Sequence, residues 1–475
     1  MKFYVTTPIY YVNDKPHIGH AYSTIAADVL ARYHRLRGDE VYFLTGTDEN
    51  AQKNAQAAEK AGKDTQAYVD EMSAVWQETW KDLGLSHDDF IRTTEERHVA
   101  GVRKFWEAVK AKGDIYEGEY EGWYCVGCEG FKLDSDLVDG NCPLHKKPPE
   151  RLKEKNYFFK LTNYREALLA YIDAHPDFIQ PVARRNEVCS YVGKFMTDVS
   201  ISRSSMKWGI PVPGDESQRI YVWFDALINY LTGVGYGTDE KMFERFWPAD
   251  LHIVGKDIIK FHCALWPAML MSAGIALPQH VFAHGFFTID GDKISKSLGN
   301  AIDPIELVQE FGVDVLRYFL FREITFGEDG DFSRERLEQR YDGELASELG
   351  NLVNRVLTMA QKYGITSAPK TTFAQDVWCS DFIKEMDHFE LHNALLKIWE
   401  FVREANQEID IKAPWKLAKE EKTAELTVVM DDLLSRVHQI ACMLAPFMPS
   451  TTDRILAQLT TMKPEPLFPR RNVLE

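Results

Sequence analysis

What most constrains this chain is an alternation of strand and helix that breaks off and later resumes. The run KFYVTTPIYYV reads as a strand and His20 to Arg37 as a helix with apolar residues three and four apart. EVYFLTG then reads as a second strand, and Ala51 to Gly62 as an alanine-rich helix. Such an order makes the strands parallel, because a helix must carry the chain back across the sheet. From Asp114 to about Pro213 the texture turns to glycine, cysteine, proline and short aromatic strands such as KNYFFKL, which reads as an insertion. The alternation returns at RIYVWFDALINYL and continues through ADLHIVGKDIIKFHCALWPAMLMSAG and HVFAHGFFT, so one sheet is split in the sequence. From about Arg336 onward apolar residues keep helical spacing. The expected fold is α/β: a split, doubly wound, Rossmann-like parallel sheet, a knuckle-bearing insertion and a C-terminal α-helical bundle. The expected divisions are 1–114, 115–216, 217–285, 286–345 and 346–475.

With 475 residues the chain exceeds one simple core. A net charge of −17 argues against indiscriminate nucleic-acid binding, DNA included, which depends on neutralising many phosphates at once. A specific, locally basic site remains compatible with it. No stretch is apolar enough for a membrane span, and MKFYVTTPIY has the pattern of a strand and not of a secretory leader, so a cytoplasmic location is expected.

Three of the seven cysteines fall close together, in YCVGCEGF and GNCPLHKK. Cys125, Cys128, Cys142 and His145 form two ligand pairs, each with two residues between, a spacing that lets four soft or borderline donors close on one zinc ion. A closed shell leaves no position for water, so one structural zinc is expected, holding together an insertion with little core of its own. A Cys125–Cys128 disulfide is the alternative, disfavoured in a reducing compartment.

In DKPHIGHAYS, Pro16 ends strand pairing, Gly19 allows close approach, and His17 and His20 share one face where a helix starts at the carboxyl end of a strand. Helix N-terminus and imidazole donors together suit a triphosphate such as ATP. Zinc ligation or two surface histidines are the other readings. GDKISKSLGN places Lys293 and Lys296 three apart between Gly291 and Gly299, point charges on a loop that can follow a phosphate, or simply a solvated loop.

Together, HIGH and KISKS resemble the defining motifs of class I aminoacyl-tRNA synthetases, with Ile294 in place of the commoner methionine. TTPIYYVNDKPHIGH, YVWFDALINYL, VGKDIIKFHCALWPAML and KAPWKLAK resemble the methionyl-tRNA synthetase versions of that class, from one end of the chain to the other. The resemblance implies that His17, Gly19 and His20 cradle ATP with its Mg²⁺ and that Lys293 and Lys296 stabilise the phosphate as pyrophosphate leaves. Gly255 and Asp257 would hold adenosine, and Asp48 the substrate ammonium. It further implies a methionine pocket of Ile9, Tyr11, Val222, Trp223, Ala226, Leu227, Tyr230, Ile258, His262 and Trp266. Thioether recognition calls for such apolar and aromatic groups. Read without it, these positions are ordinary core faces, and Asp257 is a buried structural acid. Where many relatives carry His-Gly after the acid, this chain has Asn50-Ala51.

Asn351, Arg355 and Trp415 match anticodon-reading positions; a helix cap, a surface ion pair and a packing tryptophan are the plainer readings. The implied partners are methionine, ATP and tRNA(Met), and the implied activity is ATP-dependent charging of that tRNA by a monomer. Synthetases for leucine, isoleucine or valine are disfavoured, because the interruption at 114–213 is short for their editing insertion. A non-catalytic RNA-binding relative would not need both motifs intact. A small nucleotidyltransferase would leave the long helical C-terminus unexplained.

Overall fold

The computed structural model describes residues 1–132, 134–289, 292–293, 302–365 and 372–469, with the side chains of 135, 289, 292 and 293 left aside. They fall into two compact units, 1–27 with 40–284 and 28–39 with 285–475. Among the described residues no helix is long and apolar enough to cross a membrane.

The first unit is built on a six-stranded, wholly parallel sheet. In chain order its early elements are β1 Lys2–Tyr11, α1 Ile18–Leu36, β2 Glu40–Asp48, α2 Gln52–Lys60, α3 Thr65–Asp82, β3 Asp89–Arg92 and α4 Glu96–Ala111. A smaller antiparallel sheet follows, from β4 Ile115–Cys125, β5 Gly130–Lys132, β6 Glu150–Phe159 and β8 Val199–Ser200, in the order β5-β4-β6-β8. Between β6 and β8 run α5 Arg165–Ala174, β7 Ile179–Gln180 and α6 Val182–Lys194. Then come β9 Ser202–Arg203, β10 Pro211–Val212, β11 Asp215–Ile220, α7 Val222–Leu227, α8 Asn229–Thr232, α9 Glu240–Phe246, β12 Leu251–Gly255, α10 Trp266–Ala273 and β13 His280–His284.

The large sheet runs β3-β2-β1-β12-β13-β7. Two features differ from the sequence reading. The strand that opens RIYVWFDALINYL, β11, pairs antiparallel with β9 and β10 and stays out of the parallel sheet. Conversely β7, from the stretch read as an insertion, closes the parallel sheet beside β13. A two-residue strand carries no periodicity, so pairing there is decided by its neighbours. The interior strands β1, β12 and β13 are buried on both faces, as continuous apolar runs require.

The second unit holds the half of α1 from Asp28 onward, a three-stranded sheet of β14 Phe287–Ile289, β15 Asp292–Lys293 and β16 Gly330–Asp331, and a helical array. Its helices are α11 Pro304–Phe311, α12 Val313–Glu323, α13 Arg334–Arg340, α14 Asn351–Lys362, α15 Ser380–Asp387, α16 Leu391–Lys412, α17 Pro414–Lys419, α18 Thr423–Leu444 and α19 Pro449–Thr461. Leu395, Ile398, Trp399 and Val402 on α16, with Leu433, Val437 and Ile440 on α18, form buried stripes at spacings of three and four. Within this unit the fully buried Arg317 meets Asp28 at 2.7 Å and donates to the Phe447 carbonyl at 2.7 Å.

Candidate active site

The strand order reverses between β1 and β12, the place where open parallel sheets take their ligands. β1 pairs with β12 only at Val5–Leu251 and Thr6–His252, and its register with β2 shifts between Thr6 and Ile9. Pro8, which has no N–H to give, sits in that shift. The two strands therefore part before their carboxyl ends, Tyr11 on one side and Gly255 on the other.

His17 stands just ahead of α1, and its carbonyl accepts the N–H groups of His20 at 2.9 Å and Ala21 at 3.1 Å. The imidazoles of His17 and His20 stack with ring centres 3.6 Å apart, and His20 also lies against Tyr10 and Trp76. Gly19 donates to His17 Nδ1 at 3.1 Å, and the N–H of His17 donates to His20 Nδ1 at 3.2 Å. Both Nδ1 atoms accept, which puts the proton of each neutral ring on Nε2 and makes that atom a donor. The close approach expected at Gly19 is made by the His17 ring, since a Cβ there would lie 3.0 Å from Cε1.

Asp48 ends β2 opposite Tyr11. It is buried, its Oδ1 has no hydrogen-bond partner, and the Tyr11 hydroxyl and Trp223 Nε1 are likewise buried without one. Unpaired buried polar atoms are rare, and three of them occur at positions matched to substrate binding. Burial, and then the charges of Asp225 and Glu129, push the Asp48 carboxyl well above its usual range, with Lys53 opposing. A ligand ammonium would relieve that cost. Lys53 lies 3.4 Å above the Tyr11 ring and donates to the Gly127 carbonyl at 3.1 Å. Burial lowers its pKa.

The far wall is aromatic. Trp223 stacks on Phe261 at 3.9 Å with the planes 4° apart. His262 donates from Nδ1 to the Ile258 carbonyl at 3.0 Å, so its Nε2 accepts from the Tyr230 hydroxyl at 2.7 Å. Burial lowers its pKa to about 4, which keeps the ring neutral. Tyr230 in turn stacks on His252 at 4.2 Å, whose Nε2 accepts from Trp266 Nε1 at 3.4 Å. Ile258, His262 and Trp266 stand four apart, the spacing of a helix face, but no single regular helix carries them. The chain instead passes from a 3₁₀ turn at Lys256–Ile258 through a π turn at Phe261–Leu265 into α10, and Phe261 starts that wide turn. Asp257 is exposed and thus not the buried structural acid of the plainer reading.

Cys125, Cys128, Cys142 and His145 bring their ligand atoms within 4.8 Å of one another, and all seven cysteines are free thiols, so the disulfide reading fails. The separations are 3.5 Å for Cys128–Cys142 and 3.4 to 3.8 Å from His145 Nδ1 to the three sulfurs. A tetrahedron with metal–sulfur bonds of about 2.3 Å has edges of about 3.8 Å, so the donor set fits a metal ion. Gly127 is required here, because a Cβ would meet the His145 ring at 2.7 Å. The adjoining Glu129, with φ of 47°, turns its buried carboxylate to the Lys53 N–H at 2.8 Å and to the Tyr124 hydroxyl. Its carbonyl accepts from the Tyr221 hydroxyl at 2.6 Å. Ala51 provides no side-chain cap for α2, and Glu129 does so from the knuckle.

Residues 3–151 and 134–357 match the family described as tRNA synthetases class I (M). The chain is 47% identical over 474 residues to the methionine–tRNA ligase of Thermotoga maritima, covering 97% of this chain and 75% of that one. With the Rickettsia conorii enzyme it shares 46% over 480 residues, 98% and 94% of the two chains. The chain belongs to the class I tRNA synthetases, methionine branch. A solved Mycobacterium tuberculosis methionyl-tRNA synthetase in complex with methionyl-adenylate superposes with a TM-score of 0.91 at 41% identity, over 99% of this chain and 100% of that one. Its apo form gives 0.84 at 38%, over 99% and 98%.

In this synthetase the sheet brings His17, Gly19, His20, Ile9, Tyr11 and Asp48 to the carboxyl ends of β1 and β2. α7 and α8 carry Val222, Trp223, Ala226, Leu227 and Tyr230. Lys296 lies outside the described residues, and of Lys293 only the backbone, in β15, belongs to them. In the second unit Asn351 is exposed at the start of α14, and Arg355 one turn later pairs with Asp410 at 3.0 Å. Trp415, 42% exposed, opens α17 beyond the left-handed Ala413 that ends α16. Arg355 is thus in a surface ion pair, as its plainer reading had it, and Trp415 is not packed away. Sequence reasoning missed Lys53, Phe261, Glu129 and Asp225. Only Glu129, an acid between a knuckle cysteine and a glycine, carried a local signal.

Proposed function

We propose that this synthetase activates methionine with ATP to methionyl-adenylate and passes the methionyl group to the 3′ end of tRNA(Met). One observation carries the reading: a buried acid with an unpaired oxygen, Asp48, stands opposite Tyr11 at the end of β2, within a chain alike over 99% of its length to a synthetase solved with methionyl-adenylate. Asp48 takes the substrate ammonium. The neutral His262, with Tyr11, Trp223 and Tyr230, receives the thioether by shape and polarisability. The substrate carboxylate oxygen attacks the α-phosphorus of ATP, the bond to the β-phosphate oxygen breaks, and pyrophosphate leaves with the electron pair. His17 and His20 donate from Nε2 to phosphate oxygens, Lys293 and Lys296 neutralise the charge that grows on them, and Asp257 with Gly255 holds the adenosine.

Zn²⁺ is the ion that suits three cysteines and a histidine, in a closed structural role. Mg²⁺, bound with ATP, would supply charge screening for the phosphates that His17 and His20 would hold. Asn351, Arg355 and Trp415, in the segment 346–475, read the anticodon by hydrogen bonds and stacking. Residues 1–114 and 217–285 carry the catalytic sheet together with β7 from the connective segment 115–216, and 286–345 carry the lysine loop. A cytoplasmic monomer fits a translation enzyme of this kind. The test is exchange of labelled pyrophosphate into ATP with each apolar amino acid in turn. Methionine alone should support it, and exchange with leucine but none with methionine would overturn the assignment.

A further inference from the structure

Asn50 lies two residues beyond Asp48, past the end of β2, where no strand pairing holds the chain. Its side chain is nevertheless buried, and Nδ2 donates to Asp225 Oδ2 at 2.7 Å and to the Thr93 carbonyl at 3.2 Å. Asp225 is fully buried on α7 between Trp223 and Ala226, two of the side chains assigned to the methionine wall. Its other oxygen meets His98 Nε2 at 2.7 Å, and His98 Nδ1 meets Thr232 Oγ1 on α8 at 2.8 Å. No partner in this network is an exposed group. Burying a carboxylate is costly, and apolar packing alone would hold α7 in place. Directed hydrogen bonds fix a separation to a few tenths of an ångström, while apolar surfaces can slide.

We propose that Asn50 and Asp225 form a brace that sets the distance between the acid for the substrate ammonium and the wall for its side chain. They act as positioning residues for amino-acid selection. The brace ties the loop after Asp48 to the helix carrying Trp223 and Ala226, so the span that the amino acid must fill is fixed before it binds. A side chain one carbon longer then meets a wall that does not yield. The inference rests on the methionine reading above and adds to it the part that measures length. Asp225 is also, after burial, the leading influence on the Asp48 carboxyl, which places the two acids close together.

The test is pyrophosphate exchange at saturating ATP with methionine and with ethionine, which adds one carbon beyond sulfur. Asn50→Ala should raise the methionine KM about tenfold, and the preference for methionine over ethionine in kcat/KM should fall about fivefold. The ATP KM should stay within about twofold of the parent. Asn50→His, which keeps an N–H donor at that place, should restore most of the preference. Should Asn50→Ala fail to fold, Asn50→Leu, which keeps the volume and removes the donor to Asp225, carries the same comparison. A preference unchanged in every folded variant overturns the brace, and so does a methionine KM that rises only in step with the ATP KM. The parent protein separates the two claims: if its own exchange does not depend on methionine, the functional reading fails. If the parent is methionine-dependent and the variants keep its preference, only the brace fails.

Discussion

The hydrogen bond between Tyr230 and His262 offers a quantitative test of how the aromatic wall is held. Tyr230→Phe removes one oxygen and leaves the ring stacked on His252 at 4.2 Å, so it opens no cavity to speak of. It does strip the donor from the buried Nε2 of His262, because Nδ1 is already committed to the Ile258 carbonyl. An acceptor left unsatisfied in the interior costs about 1–3 kcal/mol. His262→Phe should cost a similar amount, since it orphans the Tyr230 hydroxyl instead. The double variant replaces both partners by apolar groups, so it should be more stable than the sum of the single losses, with a coupling of about 1–2 kcal/mol.

A second arm uses pH. The His262 pKa falls from 6.5 to about 4 on folding, so below pH 6.5 the unfolded chain takes up a proton that the folded chain refuses. Stability from this group is complete above pH 6.5 and is lost as pH falls towards 4, about 3 kcal/mol in all at roughly 1.4 kcal/mol per unit. His252, lowered well below its ordinary value by burial, acts in the same direction. Urea denaturation of the three variants and the parent, at pH 7.5 and 4.5, reads both quantities. Strictly additive single losses, with an acid slope that His262→Phe leaves unchanged, would refute the reasoning.

Further outcomes follow from other parts of the molecule. Cys128→Ser, or prolonged chelation, should release about one metal ion per chain and with it Glu129 from the start of α2, so methionine-dependent exchange should fall together with the metal content read by atomic spectroscopy. Lys296→Ala should lower the exchange kcat about 10²- to 10³-fold with the methionine KM little changed, as steady-state kinetics would register. Trp415→Ala should weaken tRNA charging by about 1–3 kcal/mol, roughly 5- to 150-fold in kcat/KM, while leaving pyrophosphate exchange intact. Arg317→Ala leaves the buried Asp28 carboxylate with Arg32 Nε at 2.7 Å but strips the donors from the Phe447 and Pro446 carbonyls, and should cost about 1–3 kcal/mol in a thermal or urea melt.

The parts legible in the sequence were those whose information is local. A period of two or of three to four along the chain gave β1, α1, β2 and the helices of the C-terminal array. Two knuckles with donors three apart gave the metal ligands, because a short turn brings such side chains together whatever surrounds them. HIGH and KISKS are likewise contiguous, so the chemistry proposed for them rests on the sequence alone. The pairing of β7 with β13, the cap that Glu129 sets on α2, the stack of Phe261 on Trp223 and the contact of Asn50 with Asp225 join residues from about 40 to more than 170 positions apart. No periodicity records such a choice. It is made when the sheet closes and buried polar groups must find partners among whatever the fold brings near, and Asp48 Oδ1 finds none among the described residues.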